Sequence, residues 1–117
     1  MLALAHTSFW HWTQRTDCSP RNLSISYWQL SRVYAILGKG ERAGHYGERC
    51  LAISRDEEPF YLGYAHEALA RAAAISNQPQ SMNDHLQRAR DLAAAVSDSE
   101  ERQALEADLA TIEGQLK

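Results

Sequence analysis

The chain has 117 residues, 44% hydrophobic and 23% charged, proportions that exclude an intrinsically disordered chain and fit one domain with its own core. Twelve Lys and Arg against 15 Asp and Glu give a formal charge of −3, and the cations are scattered, so the dense basic footprint of a nucleic-acid-binding surface is missing. No stretch approaches the roughly 20 apolar residues of a membrane span, and Met1 to Ala5 is too short for a signal-peptide core; a soluble, cytoplasmic protein is expected.

Helical periodicity runs the length of the chain, and no run of alternating β-branched residues appears. Residues 2–15 are expected to form an N-terminal helix with Leu2, Ala5, Phe9 and Trp12 on one face. After a break at Asp17 to Pro20, Leu23, Tyr27, Leu30, Tyr34 and Leu37 recur at the spacing of one buried helical face. Gly38 to Gly40 supplies the next turn, with Gly38 suited to a left-handed helix end. The following helix carries the small stripe Ala43, Gly47 and Cys50. Gly44 and Gly47, each costing about 1 kcal/mol against alanine in mid-helix, are expected to make room for Tyr27 or Tyr34.

A second pair follows. The break at Asp56 to Pro59 opens an alanine-rich segment, Phe60 to Ile75, and Asn77 to Pro79 opens another with Met82, Leu86, Ala89, Ala93 and Val96 on one face. All three prolines stand where they can begin a helix, because the first turn has no use for the missing N–H. Ser97 with Glu100 has capping-box spacing before a last helix whose stripe is Leu105, Leu109, Ile112 and Leu116. The expected fold is therefore all-α, about six antiparallel helices joined by short connections: a helix at 2–15, pairs at 22–55 and 59–96, and a capping helix at 99–116.

The two pairs are related by a constant offset of 39 residues. It carries Tyr27, Leu30, Ser31 and Tyr34 onto His66, Leu69, Ala70 and Ala73, and Ala43, Gly47 and Cys50 onto Met82, Leu86 and Ala89. Residues 24–54, SISYWQLSRVYAILGKGERAGHYGERCLAIS, resemble the helix–turn–helix unit of the tetratricopeptide repeat (TPR) family, and the segment 62–94 resembles it more distantly. Ser31 or Ala70 stands where the family usually has glycine, Met82 where it has alanine, and neither unit ends in proline. The likeness extends to small bacterial proteins of this kind and implies no activity. It implies an α-α superhelix, a right-handed stack in which the first helix of each pair lines a concave groove.

The same offset pairs Arg32 with Arg71. The resemblance places both on the groove side, beside Trp28 and Gln29 in one unit and Tyr64 and Glu67 in the other. Two guanidinium groups near aromatic faces suit a carboxylate held bidentately, so the expected partner is a protein or peptide, with acidic groups, bound by a non-catalytic scaffold. The competing reading is internal: Arg71 pairs with Glu67 at i, i+4, and Arg32 covers Trp28 with its stem. Trp10, like Trp12 and Trp28, lies in the first quarter of the chain and is a candidate for an exposed aromatic patch, which makes a homodimer through the N-terminal helix an alternative.

Catalytic signatures are missing from the sequence. Cys18 and Cys50 form no CxxC, which argues against a zinc ribbon or a disulfide framework and leaves Cys50 as a small core residue. His6 and His11 lie about 140° apart on a helix, and HEAL at 66–69 lacks the second histidine of a zincin. No metal ligand set and no cofactor is assigned, and the chain is not expected to be an enzyme. The remaining alternative is an enzyme with a metal site assembled from histidines on different helices.

Overall fold

The computed structural model of the chain describes residues 19–115, and among them the proline and glycine positions set the element boundaries. Five α-helices run α1 (Pro20–Ile36), α2 (Gly40–Ser54), α3 (Pro59–Ile75), α4 (Pro79–Ala94) and α5 (Ser99–Ala110), followed by a 3-10 turn at Glu113–Gln115. No strand occurs among the described residues, so the all-helical class stands. The expected helix at 2–15, with Trp10, Trp12, His6, His11 and nearby Cys18, lies outside the described residues. No described helix is long and apolar enough to cross a membrane.

Pro20, Pro59 and Pro79 each open a helix, which their fixed φ favours and their missing N–H does not penalise. The turns inside the two pairs share one hydrogen-bond pattern. Gly38 takes φ 75° and Asn77 φ 57°; the N–H groups of Gly38 and Lys39 donate to Ala35 and Tyr34 carbonyls at 3.0 and 2.9 Å, and those of Asn77 and Gln78 to Ala74 and Ala73 at 3.1 and 2.8 Å. This is the Schellman arrangement, which satisfies the last carbonyls of a helix and needs a left-handed residue. Asn77 takes the role of Gly38 because asparagine is among the few residues that tolerate that conformation. The starts of α1 and α3, their ends, and the starts of α2 and α4 all differ by 39 positions.

Each of the helix pairs α1–α2 and α3–α4 packs together; α2 lies on α3, α1 also touches α3, and α5 closes over α3 and α4. The central helix is therefore α3, and every residue from Ala65 to Ala74 is buried. A helix surrounded on so many sides needs small side chains if its neighbours are to approach, and alanine supplies them without loss of helix propensity. Glycines elsewhere answer the same demand. A Cβ on Gly47 would stand 3.0 Å from the Leu69 side chain and one on Gly44 would touch Ala72, so these glycines make room for α3, not for Tyr27 or Tyr34 as expected. A Cβ on Gly63 would stand 2.6 Å from Leu105, where α5 crosses α3.

Three further expectations are corrected at helix ends. Leu37 is not on the buried face: it is the residue after α1 and is 48% exposed. The last helix stops at Ala110, and Ile112 is buried from the turn that follows; Leu116 lies outside the described residues. The N-cap of α5 is Asp98, whose Oδ1 accepts the Glu101 N–H at 2.9 Å, so the cap is one residue later than the Ser97 and Glu100 pair. Asp98→Ala is expected to cost about 1 kcal/mol and Ser97→Ala close to nothing, measured as shifts in the urea midpoint at unchanged slope. Equal losses would mean that the capping assignment is wrong.

Candidate functional site

Three polar side chains interrupt the buried surface of α3, and each needs partners because an unpaired buried polar group costs several kcal/mol. They are His66, Glu67 and Arg71, at 6%, 0% and 6% exposure. Glu67 is the hub. Its Oε2 accepts the Trp28 indole N–H at 2.6 Å, while its Oε1 accepts from Arg71 Nε at 2.9 Å and from Arg32 Nη1 at 3.4 Å. A fully desolvated carboxylate thus faces two guanidinium groups and an indole donor, two of the three contributed by α1.

Arg71 is occupied on its other side as well. Its Nη2 donates to the Asp108 carbonyl at 3.2 Å and to Thr111 Oγ1 at 2.9 Å, and Tyr64 donates to Asp108 Oδ2 at 2.6 Å. Burial and the Asp108 carboxylate push the Tyr64 hydroxyl well above the usual phenol range, so it stays a donor. The network consequently ties α1, α3 and the end of α5 together.

The residues expected to form a groove divide into two groups. Arg32 and Arg71 do converge, but on Glu67, and the space bounded by Trp28, Arg32, Glu67 and Arg71 has no room for a water molecule. The chain's own carboxylate stands where a ligand carboxylate was expected. Of the internal pairings anticipated for the arginines, Arg71 with Glu67 at i, i+4 is present, and Arg32 approaches Trp28 with its guanidinium, whose Cζ is 5.8 Å from the ring centre. Gln29 is half-buried on α1 and lines no cavity described here.

Next to the network, Trp28 and Tyr64 open onto a shallow apolar cavity of about 300 Å³ between α1 and α3, whose other walls are Ile25, Phe60 and Tyr61. The rings stand edge to face: Trp28 on Tyr64 at 5.4 Å and Phe60 on Tyr64 at 5.1 Å between centres, the arrangement that aromatic quadrupoles favour. An arginine stands over each end of this wall. Arg21 lies 4.6 Å above Tyr61 and is held by Glu57 at 3.1 Å and Glu58 at 3.4 Å; Arg32, with a third of its side chain exposed, lies over Trp28. Ile25, Phe60, Tyr61 and Arg21 were not singled out from the sequence. The available signal is the 39-residue offset, which carries Arg21 onto Phe60 and Ile25 onto Tyr64 as it carries Trp28 onto Glu67 and Arg32 onto Arg71.

The third polar residue of α3 meets α4. His66 Nδ1 and His85 Nδ1 are 3.0 Å apart, so one ring donates and the other accepts. Burial pushes His66 down to about 4 and also lowers His85. Among the described residues, no group of three or more His, Cys, Asp or Glu side chains is placed to hold a metal ion. Cys50 is buried between α1 and α2, where its Sγ donates to the Ser24 carbonyl at 3.4 Å, and burial raises its thiol; this is the environment of an inert core cysteine.

Glu67→Ala is expected to destabilise the fold by about 3–5 kcal/mol, because it leaves a buried guanidinium without its counter-charge. Arg32→Ala is expected to cost under about 1 kcal/mol, as it removes a long, partly exposed contact. Chemical denaturation of the two variants decides; a Glu67→Ala loss no larger than that of Arg32→Ala contradicts the hub assignment. In comparison with known proteins, the chain matches no family model, no curated protein and no solved structure.

Proposed function

We propose that this chain is a non-catalytic, TPR-like interaction module whose first helices, α1 and α3, receive an apolar side chain of a partner protein segment, with an acidic residue of that segment meeting Arg32. The observation that carries this reading is the aromatic cavity between Ile25, Trp28, Phe60, Tyr61 and Tyr64, one of whose walls, Trp28, has the partly exposed Arg32 guanidinium 5.8 Å from its ring centre. Tyrosine, tryptophan and arginine are the residues in which binding energy concentrates at protein interfaces, since they bury large area at small entropic cost and keep a polar handle. The constant 39-residue register of the two helix pairs supports the TPR-like arrangement, because it sets equivalent positions of α1 and α3 side by side.

Arg32 suits the acidic contact better than Arg71 does. Its one ion-pair contact to Glu67 is long, and a third of its side chain is exposed, whereas Arg71 is buried and bonded on both sides. Glu67 and Arg71 then act from behind, by fixing the indole and the Arg32 head that a partner would touch. Preorganised contacts of this type lower the ordering cost of association.

Selection from a displayed peptide library against the full chain is the test. Enriched peptides are expected to carry a large apolar residue near Asp or Glu, and to lose at least tenfold in affinity with Tyr61→Ala and with Arg32→Glu, about 1.4 kcal/mol or more, at an unchanged helical circular-dichroism signal. Peptides that bind both variants as tightly as the parent chain, or a selection that enriches none, overturn the reading.

A further inference from the structure

The two histidines that face each other across α3 and α4 make up a donor pair that the interaction-module reading does not use. Their Nδ1 atoms come from different helices and approach to 3.0 Å. Two nitrogens bound to one ion at about 2.0–2.1 Å in a tetrahedral arrangement stand roughly 3.3 Å apart, so the separation is close to that of a chelating pair, and turning each ring so that its lone pair leaves the N–N line would admit an ion beside it. We propose that His66 and His85 form a two-imidazole site for a divalent transition-metal ion of the copper and zinc class, with water completing its coordination.

Three further observations support the site. Imidazole nitrogen is the ligand that copper and zinc accept readily, and both rings are held neutral near pH 7 by burial, which leaves each with a lone pair. Carboxylates draw a cation to the His85 side of the pair, Glu48 from α2 and Asp84 from α4, while Arg88 of α4 opposes positive charge at both rings. The pair is also approachable from its His85 side, because His85 and Glu48 share the wall of an open cleft of about 420 Å³ between α2 and α4, with Leu69 and Ala72 of α3 as its floor.

The proton balance is simple. In the ion-free pair one ring carries its hydrogen on Nδ1 and donates it to the Nδ1 lone pair of the other. On binding, that hydrogen moves to Nε2 of the same ring through solvent, both Nδ1 lone pairs turn to the ion, and no net proton is released. With only two protein ligands and an open coordination sphere, the ion is removable by a chelator, unlike the closed four-ligand sites that zinc uses structurally.

The test uses the full chain, stripped with EDTA and titrated with zinc chloride and, separately, copper(II) chloride by isothermal titration calorimetry. One equivalent is expected to bind, with a loss of about tenfold or more in affinity in His66→Gln and in His85→Gln, and no change in His45→Gln, whose histidine is exposed on α2. Because either buried variant can perturb packing, nitrogen NMR of the unaltered chain is the second readout: zinc is expected to move the Nδ1 resonances of His66 and His85 together. The proposal is overturned if the parent chain binds neither ion, if both glutamine variants bind as the parent does, or if those two resonances stay in place at saturation.

Discussion

A single buried carboxylate governs how the helices of this chain meet. Glu67 is fully enclosed, and an ionised carboxylate in such a place is tolerated only when charge and hydrogen bonds replace the lost water. The replacements are three donors from two helices: the Trp28 indole and Arg32 from α1, and Arg71 from its own helix, itself braced by Thr111 and the Asp108 carbonyl at the end of α5. Apolar packing alone would allow α1 to slide over the alanine surface of α3, because alanines present little relief for ridges to engage. The polar hub sets the register between them, which is the role that buried ionic groups fill best.

From that constraint the aromatic wall follows. Trp28 cannot rotate away from α3 while its N–H is held by Glu67, and its ring therefore stands edge-on to Tyr64, which Asp108 holds from the other side. The cavity between α1 and α3 is thus bounded in part by two rings, Trp28 and Tyr64, whose polar ends are anchored while the wall they form is apolar. This combination of a fixed orientation with unsatisfied apolar area is what the proposed partner site requires. The small-residue surfaces of α2 and α3 contribute differently, by letting the two helix pairs approach closely enough for the hub to close.

Much of this architecture was legible in the residues, and the parts that were not have a common physical cause. Proline and glycine positions marked the element starts and turns, since their backbone restrictions are local. The 39-residue offset was readable too, and it paired Arg32 with Arg71. Its full consequence was missed: the same offset places Trp28 against Glu67, and that pair forms the shortest contact of the hub. His66 and His85 lie on opposite sides of the turn at Asn77, a relation across an antiparallel hairpin that a search for shared faces on one helix does not detect. The function of Gly44 and Gly47 was misassigned because a helical stripe shows that a face is small, without showing which neighbour presses on it. The capping residue of α5 slipped by one position because Asp98 and Glu101 have the same i, i+3 spacing as Ser97 and Glu100, and only backbone conformation separates the two choices.

The most direct measurement of the Glu67 hub is the indole N–H resonance of Trp28 in a nitrogen–proton spectrum, assigned by its loss in Trp28→Phe. A 2.6 Å bond to a buried carboxylate predicts a proton shifted downfield of a solvent-exposed indole and slow to exchange with water, with both properties lost in Glu67→Gln. A Trp28 indole proton that exchanges freely at the shift of an exposed tryptophan in the unaltered chain would contradict the account.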